Sequence, residues 1–262
     1  MIIGWNIFPY VAIVAVVMAA IGALLAVVRR DRRMAAIACT STAIIIFALF
    51  VGTLWYTLGR PPLRTMGETR LWYSLFMLIA GLFTYVRWRY NWILCFSTLM
   101  ATVFIAINIL KPEIHDQTLM PALQSAWFIP HVSVYMFSYA LLGCATLLAI
   151  GTLIRPTLDT DEAIEQLIYG GIAFFGVGML SGALWAKDAW GAYWSWDAKE
   201  AWAAVTWCLW LVALHLAPQL GRSKTRRRTY HVIVVVAFLA LQMCWWGVNY
   251  LPSAATSVHA YN

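Results

Sequence analysis

Seven of the fifteen tryptophans fall between Trp185 and Trp210. Within that window the stretch WGAYWSWDAKEAW sets Trp190, Trp194 and Trp196 beside Asp197, Lys199 and Glu200. An indole offers a broad apolar face and a single N–H donor. Several of them next to charged groups form a flat aromatic shelf, suited to a large planar ligand with apolar faces and charged edges. Interfacial belts are the ordinary use of tryptophan in membrane proteins. A belt would spread the residues over every helix end, whereas here they gather in one place. Asp197 and Glu200 also fit an Asp-x-x-Glu capping box that opens a helix, which gives both acids a structural role.

The five histidines are His115, His131, His215, His231 and His259. A lone histidine at a helix end is commonly a hydrogen-bonded interfacial residue. Two on one membrane face, beside a tryptophan shelf, are different, because a porphyrin takes axial imidazoles above and below its iron. His131 and His259 form such a pair, with His115 in a more exposed loop. Glu200 and His215 are fifteen residues apart, roughly 22 Å along a helix. His215 therefore cannot reach an iron held at the shelf; if it is a ligand, it belongs to a second site near the inner leaflet, with His231 or a residue of another chain as its mate.

These residues need elements to hold them. The 262-residue chain is 63% hydrophobic and 11% charged, against roughly 25% charged in soluble domains. That composition predicts an all-α, polytopic membrane bundle of about eight helices. A helix of about 20 apolar residues spans a bilayer. The predicted segments are about 6–28, 34–57, 71–87, 91–110, 131–154, 166–185, 200–217 and 230–250. The opening MIIGWNIFPY lacks a basic leader and reads as the start of the first membrane helix. Residues 1–110 form an N-terminal membrane region, and residues 111–262 carry the candidate site and its loops.

Of the eighteen Lys and Arg residues, twelve fall in one set of loops and six in the other. The richer set, which includes Arg29, Arg30, Arg155 and Arg226 to Arg228, is expected on the cytoplasmic side. Both termini and the tryptophan-rich stretch then face outward, as do Arg60, Arg64, Arg70, Lys187 and Lys199. Those cations are candidates for carboxylate edges of a ligand. WAKDAWGAYWSWD is too polar to span and reads as an interfacial turn or short helix. The net charge of +7 is a matter of topology, not of nucleic-acid binding. Gly178 and Gly182 make a Gly-xxx-Gly pair that admits a neighbouring helix. All five cysteines lie in apolar segments without a CxxC pair, which argues against a dithiol or thiolate metal site.

WGAYWSWDAKEAW resembles the tryptophan-rich WWD motif of heme-handling membrane proteins, and its WDxKExW form resembles the CcsA family (also called ResC) of cytochrome c biogenesis. LMPALQSAWFIPHVSVYMFSYA, from Leu119, is similar to the family segment bearing a first heme-ligating histidine. WWGVNYLPSAATSVHAY, from Trp245, is similar to the segment bearing a second. The resemblance implies heme b as bound substrate and His131 and His259 as axial ligands of its iron. It further implies Trp190, Trp194, Trp196 and Asp197 as the heme surface, with His215 at an inner heme-entry site. The implied partners are a CcsB-type membrane subunit, an apocytochrome c with a CxxCH motif and a thioredoxin-like reductant. The implied location is the bacterial inner membrane or an equivalent one. A bis-histidine membrane b-type cytochrome passing electrons to a quinone is the alternative.

Overall fold

The computed structural model describes residues 4–112, 123, 125–217 and 223–252. They form eight long helices, with no strand among the described residues. These are α1 (Phe8–Val28), α2 (Arg33–Leu58), α3 (Met66–Trp88), α4 (Ile93–Leu110), α5 (Phe128–Ile154), α6 (Asp161–Trp190), α7 (Ala198–Leu216) and α8 (Lys224–Trp245). All of them but α7 are long and apolar enough to cross a membrane, and the chain is an integral membrane protein. In α7, Lys199, Glu200 and His215 dilute the apolar run. Its 19 residues extend about 28 Å, near the thickness of the hydrocarbon layer. Ile13, Val17 and Leu24 on α1, Leu180 on α6 and Leu239 on α8 lie open on the surface, where hydrocarbon rather than water suits them.

Several helices run beyond their apolar windows. Helix α3 starts at Met66, five residues before the expected 71, because Thr65 and Glu68 close a capping box there. Helix α6 starts at Asp161 and ends at Trp190, where Gly191 takes the left-handed C-cap conformation at φ 83°. The predicted interfacial turn is therefore split: Trp185 to Trp190 are the last turns of α6, and only residues 191–197 are loop. Helix α8 begins at Lys224, within the basic run, and Gly247–Tyr250 tighten into a 3-10 turn after it ends. An apolar window sees only the lipid-matched middle of such helices. Their charged ends belong to the same element.

The chain divides into two compact units, Met1–Leu123 and Gln124–Asn262. In the first, an alanine face of α1 (Ala12, Ala15, Ala19) lets α2 pack closely, and Phe8, Phe47, Phe50 and Leu54 fill the core beside Leu71 and Ile105. The turn before α3 is organised by Glu68, which is fully buried. Arg60 donates to both of its carboxylate oxygens, at 3.0 and 2.9 Å, and the Arg64 and Thr65 amides donate to Oε2 at 2.7 and 3.2 Å. Burial and the neighbouring Arg60 push the Arg64 guanidinium below its ordinary pKa, with Glu68 opposing them.

In the second unit, α5 and α6 form an antiparallel pair joined by α7 and α8. At one end Ser125 donates to Asp188 (3.0 Å) and the Cys244 thiol to the Lys199 carbonyl (3.4 Å). At the other, Arg227 donates to Asp161 (2.6 Å) and to the Pro156 and Leu158 carbonyls, while His231 Nε2 meets Asp161 Oδ1 at 2.9 Å. The first turns of α8 thus clamp the α5–α6 connection.

Candidate functional site

The site gathers where α5 and α7 begin and α6 and α8 end. His131 lies in the first turn of α5. Its Nδ1 is 2.8 Å from the Gly178 carbonyl of α6. A carbonyl only accepts, so Nδ1 carries the proton, and in the neutral ring the lone pair is on Nε2. The imidazole stacks on Trp185, with centroids 5.3 Å apart and 25° between planes, and meets Tyr135 edge-on at 4.8 Å.

Trp185 is 3% exposed and carries the aromatic packing onward to Phe128 (5.1 Å) and Trp190 (4.7 Å). Beyond the Gly191 cap, Trp194 and Trp196 stand at 86° to each other with centroids 5.6 Å apart. These two rings cannot both lie flat beneath one planar ligand, so the expected flat shelf is instead a pair of walls. Trp196 is 73% exposed and has φ 59°, a left-handed backbone that a bulky residue adopts only at some strain. Trp194 Nε1 is buried without a hydrogen-bond partner.

The turn is held from below by the expected capping box. Asp197 accepts from the Lys199 amide at 3.0 Å. Glu200 Oε2 collects the Ser195 amide (2.7 Å), the Ser195 hydroxyl (3.3 Å) and the Asp197 amide (3.1 Å). One carboxylate therefore sets the conformation of the segment that carries Trp194 and Trp196.

Residues 62–255 match the family described as "Cytochrome C assembly protein". The chain belongs to this family. Relatives named cytochrome c biogenesis protein CcsA include that of Cuscuta reflexa, 29% identical over 261 residues and 83% of each chain. That of Cuscuta exaltata is 30% identical over 251 residues and 80% of each chain. That of Chlamydomonas reinhardtii is 31% identical over 237 residues, covering 83% of this chain and 66% of the relative.

Membership in the cytochrome c assembly family implies that heme is involved, so heme is the group against which to weigh the site. The Nδ1–H tautomer of His131 suits iron. Buried Trp194 Nε1 suits an acceptor at a ligand edge, since a buried donor left unpaired is costly. The exposed Trp196 face suits an apolar macrocycle.

His115 and His259 lie outside the described residues. His215 is exposed on α7, with Nδ1 2.7 Å from the Leu211 carbonyl of its own helix, which leaves the lone pair on Nε2. His231, one of its two expected mates, is 2% exposed with Nε2 on Asp161, so the clamp already uses the nitrogen it would offer. Two of the cations read as candidates for ligand carboxylates are also committed internally. Lys187 donates to the Gly191 carbonyl at 2.7 Å and lies over the Tyr193 ring, and Arg60 is paired with Glu68.

Sequence reading passed over Trp185 as a site residue and did not connect the glycine pair to the histidine. Gly182 faces the His131 ring and Gly178 faces the Tyr135 ring. A usable signal was present: His131 and Tyr135 are four apart on one helix, and Gly178 and Gly182 are four apart on the next.

Proposed function

We propose that this chain is the heme-presenting membrane component of a cytochrome c synthase. Heme b is its bound substrate, held by His131, Trp190, Trp194, Trp196 and Asp197. His131 Nε2 is one axial ligand of the iron and His259 is the other. The observation that carries this reading is the Nδ1–H bond from His131 to the Gly178 carbonyl, which puts the proton on Nδ1 and so makes Nε2 the nitrogen through which the ring would ligate. The Lys/Arg asymmetry of the loops supports an outward-facing site with both termini on the same side.

The chemistry at such a site is addition of a cysteine S–H across a heme vinyl C=C. A carbon–sulfur bond forms at one vinyl carbon, the proton ends on the other, and no net oxidation occurs. The thiols belong to the CxxCH motif of an apocytochrome c, and a thioredoxin-like protein is the fitting source of their reduced state. This chain contributes iron ligation, orientation and shelter from water.

His215 belongs to an inner entry site completed by a CcsB-type membrane subunit. Its exposure on α7, together with the commitment of His231 to Asp161, favours a mate from another chain. Co-expression with a CcsB-type subunit and a CxxCH apocytochrome tests the function. Covalent heme on the apocytochrome, lost when its cysteines become serine, is the expected result. Tight heme that reduces a quinone and never appears on the apocytochrome would instead identify a b-type cytochrome.

A further inference from the structure

We propose that Gly182 is a positioning residue whose missing side chain seats the His131 imidazole. The proposal rests on reading His131 as an iron ligand. A Cβ at 182 would lie 2.6 Å from both Cε1 and Nδ1 of that ring. Carbon atoms do not approach so closely, so the ring would have to move. It has little room to do so: Trp185 stacks on it, Tyr135 meets it edge-on, and Nδ1 is held by the Gly178 carbonyl. Displacing the ring breaks the bond from Nδ1–H to the Gly178 carbonyl, and with it the fixed orientation of the imidazole.

The glycine spacing matches the ring spacing in antiparallel register. Gly182 faces His131, and one turn back along α6 Gly178 faces Tyr135, whose ring atoms lie 3.0 Å from a Cβ built there. Ordinary small-xxx-small packing brings backbones together. Here both glycines receive aromatic rings, and one of those rings carries the proposed ligand. At Gly171, further along the same helix pair, a Cβ would meet the Leu142 side chain at 2.4 Å rather than a ring, which provides a packing control.

The test uses the full chain purified in detergent, with hemin as the probe and low-spin absorption as the readout. His131→Gly opens a gap the size of an imidazole. Free imidazole can fill it, bind iron through one nitrogen and donate to the Gly178 carbonyl through the other. 1-Methylimidazole can bind iron but has no N–H to donate. After correction for their ratio on free hemin in the same detergent, imidazole should restore the spectrum at about tenfold lower concentration, the worth of one hydrogen bond.

Adding Gly182→Ala to His131→Gly places a methyl 2.6 Å from where Cε1 and Nδ1 lay. With the histidine ring gone, this double variant has no clash to prevent folding. Rescue should then need at least about tenfold more imidazole and lose its preference over 1-methylimidazole. Gly171→Ala in the same background should leave both unchanged. Rescue unaffected by Gly182→Ala, or weakened equally by Gly171→Ala, overturns the proposal. A full low-spin spectrum in His131→Gly without added imidazole refutes the ligand reading itself, and the proposal with it.

Discussion

The His131 imidazole and the Trp185 indole lie stacked, 5.3 Å between centroids and 25° between planes. Trp185 is buried and braces the ring along one face, while the Gly178 carbonyl fixes its edge. Trp185→Ala should cost about 3–5 kcal/mol of stability through the cavity it leaves. It should also blur the low-spin signal of bound heme into a mixture of states. Trp185→Phe, which keeps a stacking ring, should lose less of both. Thermal unfolding in detergent and the heme absorption spectrum measure the two effects. Normal stability and an unchanged spectrum for Trp185→Ala would remove its bracing role.

Trp194 offers a test of opposite signs. Its buried N–H has no partner, so Trp194→Phe removes an unpaired donor from the heme-free protein. Heme-free thermal stability should hold or rise slightly. Heme retention should fall several-fold, by about the worth of one hydrogen bond. If stability and retention fell together, Trp194 would be a packing residue.

Glu200 should govern the loop rather than the ligand directly. Glu200→Ala strands the Ser195 and Asp197 amides and should destabilise the 191–197 turn by about 1–3 kcal/mol. Glu200→Gln keeps an acceptor and should fall between. Limited proteolysis within 191–197 is the readout, and cleavage should increase in the order wild type, Gln, Ala. Equal cleavage in all three would mean that the cap does not hold the turn.

The architecture was legible because apolar composition and helical length are written along the chain. What lay outside the apolar windows was not. The first turn of α6 was missed because Asp161 and Glu162 read as loop, yet Asp161 is tied by Arg227 and His231 from a helix more than sixty residues away. Such a contact has no local signature. His231 illustrates the same limit: residue type allowed a ligand, and only the fold placed its Nε2 on a carboxylate. The WDAKE turn fared better, because a capping box is a local pattern four residues long. The seat of His131 fell between these cases. Each half of it was visible on its own helix, but their register was set by packing.

The clamp and the heme site should separate in mutants. Asp161→Ala leaves Arg227 and buried His231 without their carboxylate. Since Arg227 and Asp161 each keep about a quarter of their exposure, the loss should be about 1–3 kcal/mol rather than the larger figure for fully buried pairs. The heme spectrum of the folded fraction should not change. His215→Ala, at an exposed position, should leave stability intact and alter heme content only when the partner subunit is present. A lower melting temperature for His215→Ala alone would count against an intersubunit role.

The central claim is that His131 ligates heme iron through Nε2. The most direct measurement is low-temperature electron paramagnetic resonance of the ferric heme-loaded protein, comparing wild type with His131→Ala before and after addition of free imidazole. The account predicts a low-spin bis-imidazole signal in wild type, its conversion to high spin in the variant, and its partial return with imidazole. A low-spin signal that survives His131→Ala unchanged would contradict it.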